Sequence, residues 1–96
     1  MSKKTELNNL RDEINKVTIE IIRLCGERFS LAREIGELKA QMELPIEDLK
    51  VEENLKREVL EKCCLFDIDA KFGLKLLDLL LSESKKVQKT YATDNK

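Results

Sequence analysis

The chain has 96 residues, 42 % hydrophobic and 39 % charged, with 3 glycines, 1 proline and no histidine. That profile belongs to a single all-helical domain with solvated outer faces. A net charge of −1 gives no general reason to bind nucleic acid or an anionic membrane, and 3 cysteines without histidine exclude the usual zinc sets and Cys–His nucleophiles.

Met1 to Lys4 reads as a frayed tail. Thr5 is placed to cap a first helix, with Glu6 suited to its dipole, and the helix runs to about Met42. Its apolar residues are Leu7, Leu10, Ile14, Val17, Ile21, Leu24, Leu31, Ile35 and Leu38. The steps alternate three and four, which makes a heptad seam. Arg28 falls where the seam calls for an aliphatic residue. Either it snorkels out or pairs internally, or an anionic group meets it. A helix of about 38 residues is roughly 57 Å long. A compact domain of this size is only about 32 Å across. The overhang is covered or solvated, and a second copy of the chain is the simplest cover.

Gly26 and Gly36 each weaken this helix. Gly36 is either a tolerated defect or a place where another backbone or a ligand comes close. Leu44-Pro45 ends the helix. Glu47 and Asp48 open a second helix, to about Cys64, with an inner face of Glu52, Leu55, Val59 and Cys63. Leu65 to Ile68 connects it to a third. Asp69 is the expected N-cap there, and the helix runs to about Tyr91. Its inner face holds Phe72, Leu76, Leu77, Leu80, Ser84, Val87, Gln88 and Tyr91. Ala92 to Lys96 reads as a disordered tail. The expected domain is therefore 1–96, with a core of about 5–91. Cys25, Cys63 and Cys64 read as core or surface thiols of a reducing compartment. The opening residues carry no apolar leader, and no run approaches the roughly 20 apolar residues of a membrane span, so a cytoplasmic location is expected.

Polar residues intrude on all three inward faces. Arg28 and Lys39 lie eleven residues apart, roughly 16 Å along one helix and about 20° from the same face, with Ile35 between them. Asp48 and Glu52 are one turn apart on the second helix, as are Ser84 and Gln88 on the third. Each pair alone is ordinary surface or capping chemistry. Together they indicate a polar pocket with cations for an anionic guest. There is no phosphate loop, metal ligand set or nucleophile–base pair. Chemistry here would rest on binding, orientation and electrostatics, with no cofactor and no metal.

The run Leu10-Arg11-Asp12-Glu13-Ile14 resembles the opening of the all-helical class of chorismate mutases. So do Glu27-Arg28 with Leu31-Ala32, Ile35-Gly36 with Lys39, Pro45-Ile46-Glu47-Asp48, Glu52-Glu53, and Ser84 with Val87-Gln88. The similarity covers about Leu7 to Gln88. It implies three helices per chain, one long and two shorter, in an intertwined homodimer. It also implies the Claisen rearrangement of chorismate to prephenate, a step toward phenylalanine and tyrosine; with the sequence ending at Lys96, a monofunctional protein without a fused dehydratase or dehydrogenase is expected. By position, Arg28 and a partner-chain Arg11 would hold the substrate carboxylates. Lys39 and Gln88 would donate to the ether oxygen. Glu52, with backbone at Asp48, would hold the ring hydroxyl; Ser84 would touch a carboxylate and Ile35 would line the pocket. The chain departs from many relatives at Val51, where they carry arginine; Lys50 is a possible substitute, but it points about 100° away. Asn15 and Thr18 stand where relatives often have aspartates, and read as packing or capping changes. Two alternatives remain: an isochorismate–pyruvate lyase on the same scaffold, and a non-catalytic helical dimerisation module.

Overall fold

The computed structural model describes residues 2–94. Three helices follow one another: α1, Lys3–Gln41; α2, Leu49–Leu65; α3, Ala70–Asp94. Among the described residues there is no strand, and no helix is long and apolar enough to cross a membrane. The chain divides into two compact units, the first ending at Leu31 and the second beginning at Ala32.

The first unit is the N-terminal stretch of α1. Its cap is Ser2 rather than Thr5: the Ser2 hydroxyl accepts from the Thr5 N–H at 3.2 Å, and the helix starts earlier than the sequence indicates. Lys3 and Lys4, expected in a tail, are helical. The seam residues Leu7, Leu10, Ile14, Val17, Ile21, Leu24 and Leu31 are all exposed. Elsewhere on this surface Arg23 pairs with Glu20 and Glu27, one turn to either side. The Glu20 carboxyl is held below the usual carboxylate range by Arg23. Exposed pairs of this kind support the helix only weakly.

In the second unit, α2 packs on α3. The residues of α2 that leave the solvent are Glu52, Leu55, Val59 and Cys63, the inner face expected from the sequence. Cys63 seats against Gly73, where a Cβ would collide with the thiol sulfur. On α3, Leu77, Ser84 and Gln88 are buried, whereas Phe72 and Leu76, expected on the inner face, stay exposed. Those two line an open apolar cavity of about 180 Å³ together with Val59, Phe66 and Leu80. The last turns of α1 meet α3 at two places. Ala32 and Gly36 are buried, and the Arg33 guanidinium lies 6.0 Å from the Tyr91 ring centre.

Asp48 and Asp69 cap α2 and α3, accepting from Val51 N–H and Phe72 N–H at 3.2 Å each. Ala92–Asp94, expected in the tail, continue α3; Met1, Asn95 and Lys96 lie outside the described residues. The C-terminal stops of α1 and α2 have no glycine. After α1, Leu44 N–H returns to the Lys39 carbonyl at 2.8 Å, with Glu43 at φ 55°. After α2, Ile68 N–H returns to the Cys63 carbonyl at 2.8 Å, with Asp67 at φ 55°. Both are Schellman stops whose left-handed residue carries a Cβ. Glu43→Gly and Asp67→Gly should each stabilise the fold by roughly 0.5–1 kcal/mol, since glycine occupies this region without steric cost. A denaturation midpoint that falls in both variants would contradict this assignment of strain.

Candidate active site

The site of the second unit is built where the end of α1 crosses α3. Gly36 has no Cβ, and one added there would stand 2.9 Å from the Gln88 Cα and 3.0 Å from its carbonyl oxygen. Of the two readings open in the sequence, close approach of another backbone is the one observed. That approach places Lys39, in the last turn of α1, beside Gln88.

The Lys39 ammonium donates to the Gln88 side-chain oxygen at 3.0 Å and to the Ile46 backbone carbonyl at 2.6 Å. The Schellman stop turns the chain back after Gln41, which brings Ile46 within reach. Lysine has only donors, so the side of the Gln88 amide facing it must be oxygen. The remaining capacity of that amide is its NH₂ group. Gln88 is only 8 % exposed. A half-buried ammonium and an amide N–H are thus held next to one another, a suitable pair for an oxygen that gains negative charge.

A second group lies beside the first. Ser84 is buried one turn before Gln88 on α3. Its neighbour Lys85 reaches across to Glu52 at 2.9 Å and to Glu47 at 3.0 Å. Donating to Glu52, and after it to Glu47, stabilises the charged ammonium and raises the Lys85 pKa above the ordinary lysine value. Glu52 uses its Oε1 in this pair. Its Oε2 is buried with no hydrogen-bond partner. Because Ile46 and Glu47 are consecutive, and Ser84, Lys85 and Gln88 share one turn of α3, the two groups are parts of one constellation.

The structure therefore brings together Lys39 with Gln88, and Glu52 with Lys85. Asp48 is the α2 cap, and its carbonyl accepts the Glu52 N–H at 3.1 Å. Ile35 is exposed on α1. Arg11, exposed, and Arg28, half-buried, belong to the α1 stretch of the first unit. Val51 is exposed, and so is Lys50, the sequence's candidate for a replacement cation. The cation that meets Glu52 is Lys85 instead. Nothing in the sequence singled it out, because a lysine next to a lysine on a charged helix looks like solvated surface.

The chorismate mutase type II sequence profile matches residues 10–89. The chain belongs to that family. Among curated proteins, it is 31 % identical to a chorismate mutase from Methanocaldococcus jannaschii over 93 residues, covering 95 % of this chain and 94 % of that one. It is 34 % identical over 97 residues to a bifunctional chorismate mutase/prephenate dehydratase from Aquifex aeolicus. That match takes in 90 % of this chain but only 26 % of the longer protein. Family membership makes the chain an enzyme of the isomerase class, in the route to the aromatic amino acids.

Gly36→Ala tests the crossing. Helix propensity alone would stabilise this variant by about 1 kcal/mol. The clash with the Gln88 backbone should reverse the sign, with a net loss of roughly 1–3 kcal/mol and reduced turnover. A more stable and fully active Gly36→Ala protein would show that the two helices do not need to touch there.

Proposed function

We propose that the chain converts chorismate to prephenate at the Lys39–Gln88 pair. The observation that carries this reading is the ammonium held at 3.0 Å from an otherwise buried amide. Chorismate is a dicarboxylate enol ether. In the rearrangement the ether C–O bond breaks while a new C–C bond forms within the same molecule. No proton or electron is exchanged with the protein, so no cofactor or metal enters the chemistry.

The enzyme's task is to favour the compact, chair-like transition state over the extended ground state. As the C–O bond lengthens, negative charge grows on the ether oxygen. Lys39 Nζ and the Gln88 NH₂ donate to it, with Lys39 relaxing its contact with the Gln88 oxygen. The Ile46 carbonyl keeps the ammonium from swinging into solvent. Arg28 holds one substrate carboxylate and Arg11 of a second copy holds the other, with Ser84 adding a hydrogen bond. Glu52 accepts from the ring hydroxyl, backbone at Asp48 helps to hold that group, and Ile35 closes the apolar wall.

The second copy is part of the proposal. Arg11 and Arg28 are 17 positions apart on an unbroken helix, about 25 Å along its axis, too far for both to grip one small dianion. The exposed seam from Leu7 to Leu31 and the open apolar cavity between α2 and α3 support a homodimer, since apolar surface of this extent is normally covered. A cytoplasmic location fits this pathway role.

Purified protein should abolish the chorismate absorbance with prephenate as the product; pyruvate released from isochorismate without prephenate formation would assign the lyase reaction. Lys39→Ala should lose roughly 10²–10³-fold in kcat, the usual effect of removing a donor to a developing oxyanion. A variant within threefold of the parent would remove Lys39 from the chemistry.

Arg11→Ala and Arg28→Ala homodimers should each be nearly inactive. With random pairing after mixing, about half the dimers are heterodimers with one intact site, so near a quarter of parental activity should return. Folded mixed dimers without recovery would place the whole site within one chain.

A further inference from the structure

Glu52 presents an unusual arrangement for a carboxylate on an inner helix face. Its Oε1 is paired with Lys85 at 2.9 Å, while its Oε2 is buried and has no hydrogen-bond partner. A buried acceptor left unsatisfied is costly, and a carboxylate oxygen more so than a neutral one. The side chain is only 21 % exposed, so water does not freely meet the group. The neighbouring helix position, Val51, supplies no charge.

Lys85 is held by two carboxylates. Glu52 stands at 2.9 Å on α2, and Glu47 at 3.0 Å in the connection before α2. Its own side chain is 29 % exposed. Two carboxylates on one ammonium leave it little electrostatic reason to leave them for a substrate carboxylate. Holding one Glu52 oxygen on Lys85 removes the freedom of the carboxylate to turn, and leaves the other oxygen as the one without a hydrogen-bond partner in the chain.

We propose that Lys85 is the positioning residue of the hydroxyl subsite: it clamps Glu52 through Oε1 so that the buried Oε2 is presented to the ring hydroxyl of the substrate. Glu47, at 3.0 Å, is the second carboxylate that holds the clamp. The proposal rests on the reading that Glu52 accepts that hydroxyl. In this sequence the cation serving Glu52 comes from α3, next to Ser84 and three residues before Gln88. The turn of α3 that donates to the ether oxygen therefore also orients the acceptor for the hydroxyl.

The test is steady-state kinetics on chorismate with Lys85→Met, Lys85→Arg, Glu52→Gln and the Lys85→Met/Glu52→Gln double variant, with helicity followed by circular dichroism. A hydroxyl held equally in ground and transition states affects KM rather than kcat. Lys85→Met should raise KM about tenfold, the scale of a misplaced hydrogen bond to a charged group, with kcat within about twofold. Lys85→Arg should restore most of the affinity. In the Glu52→Gln background, Lys85→Met should add nothing further, because both changes remove the same contact.

A raised KM in Glu52→Gln with an unchanged KM in Lys85→Met would overturn the clamp and leave the Glu52 assignment standing. An unchanged KM in Glu52→Gln would overturn that assignment and the clamp with it. Additive losses in the double variant would mean that Lys85 touches the substrate itself, against the proposal. If Lys85→Met fails to fold, Lys85→Leu, which likewise removes the donor and the charge, takes its place in the same cycle, with the same outcomes deciding.

Discussion

Everything at the site depends on how closely the end of α1 can approach α3. A side chain at position 36 would stand 2.9 Å from the Gln88 Cα, so the approach exists only because that residue is glycine. With the backbones in contact, a lysine one turn further along α1 reaches the Gln88 amide and the Ile46 carbonyl together. Ala32, one turn earlier, is buried too. A loss of helix propensity at Gly36 is thus exchanged for a rigid pair of donors. Preorganisation of this kind matters most in a reaction where the protein makes and breaks no bond of its own.

The same long helix carries a different requirement at its other end. The seam from Leu7 to Leu31 is regular enough for a coiled-coil partner, yet within one chain its apolar residues remain in solvent. The core of a single copy is small: Ala32, Cys63 and Leu77 are its buried apolar members, beside the polar Ser84 and Gln88. Burial of this limited kind does not offset the entropy of ordering three helices. The second copy proposed above would cover the exposed seam and supply the second arginine through the same contact.

Much of this was legible in the residues. The spacing of Glu52, Leu55, Val59 and Cys63 marked the inner face of α2, and Asp69 marked the start of α3. Ser84 and Gln88 stood out as polar groups on an apolar face, and both are buried. What escaped notice has physical reasons. Thr5 and Ser2 are both competent caps, and only the backbone path decides between them. Glu43 and Asp67 adopt positive φ without being glycine, so the stops of α1 and α2 lack their usual marker. Phe72 and Leu76 fit the helical period of the inner face, but the space beside them is an open cavity and not a neighbour. Lys85 was hidden because partner choice across 33 or 38 positions is a tertiary fact, invisible to helical periodicity.

In the proposed reaction Lys39 and Gln88 together receive the ether oxygen. The most direct measurement is a crystal structure with a stable bicyclic ether dicarboxylate shaped like the chair transition state. The ether oxygen should lie within hydrogen-bond distance, about 2.7–3.2 Å, of both Lys39 Nζ and the Gln88 amide nitrogen. A bound ether oxygen that meets neither group, with Lys39 still donating to the Gln88 oxygen, would contradict it.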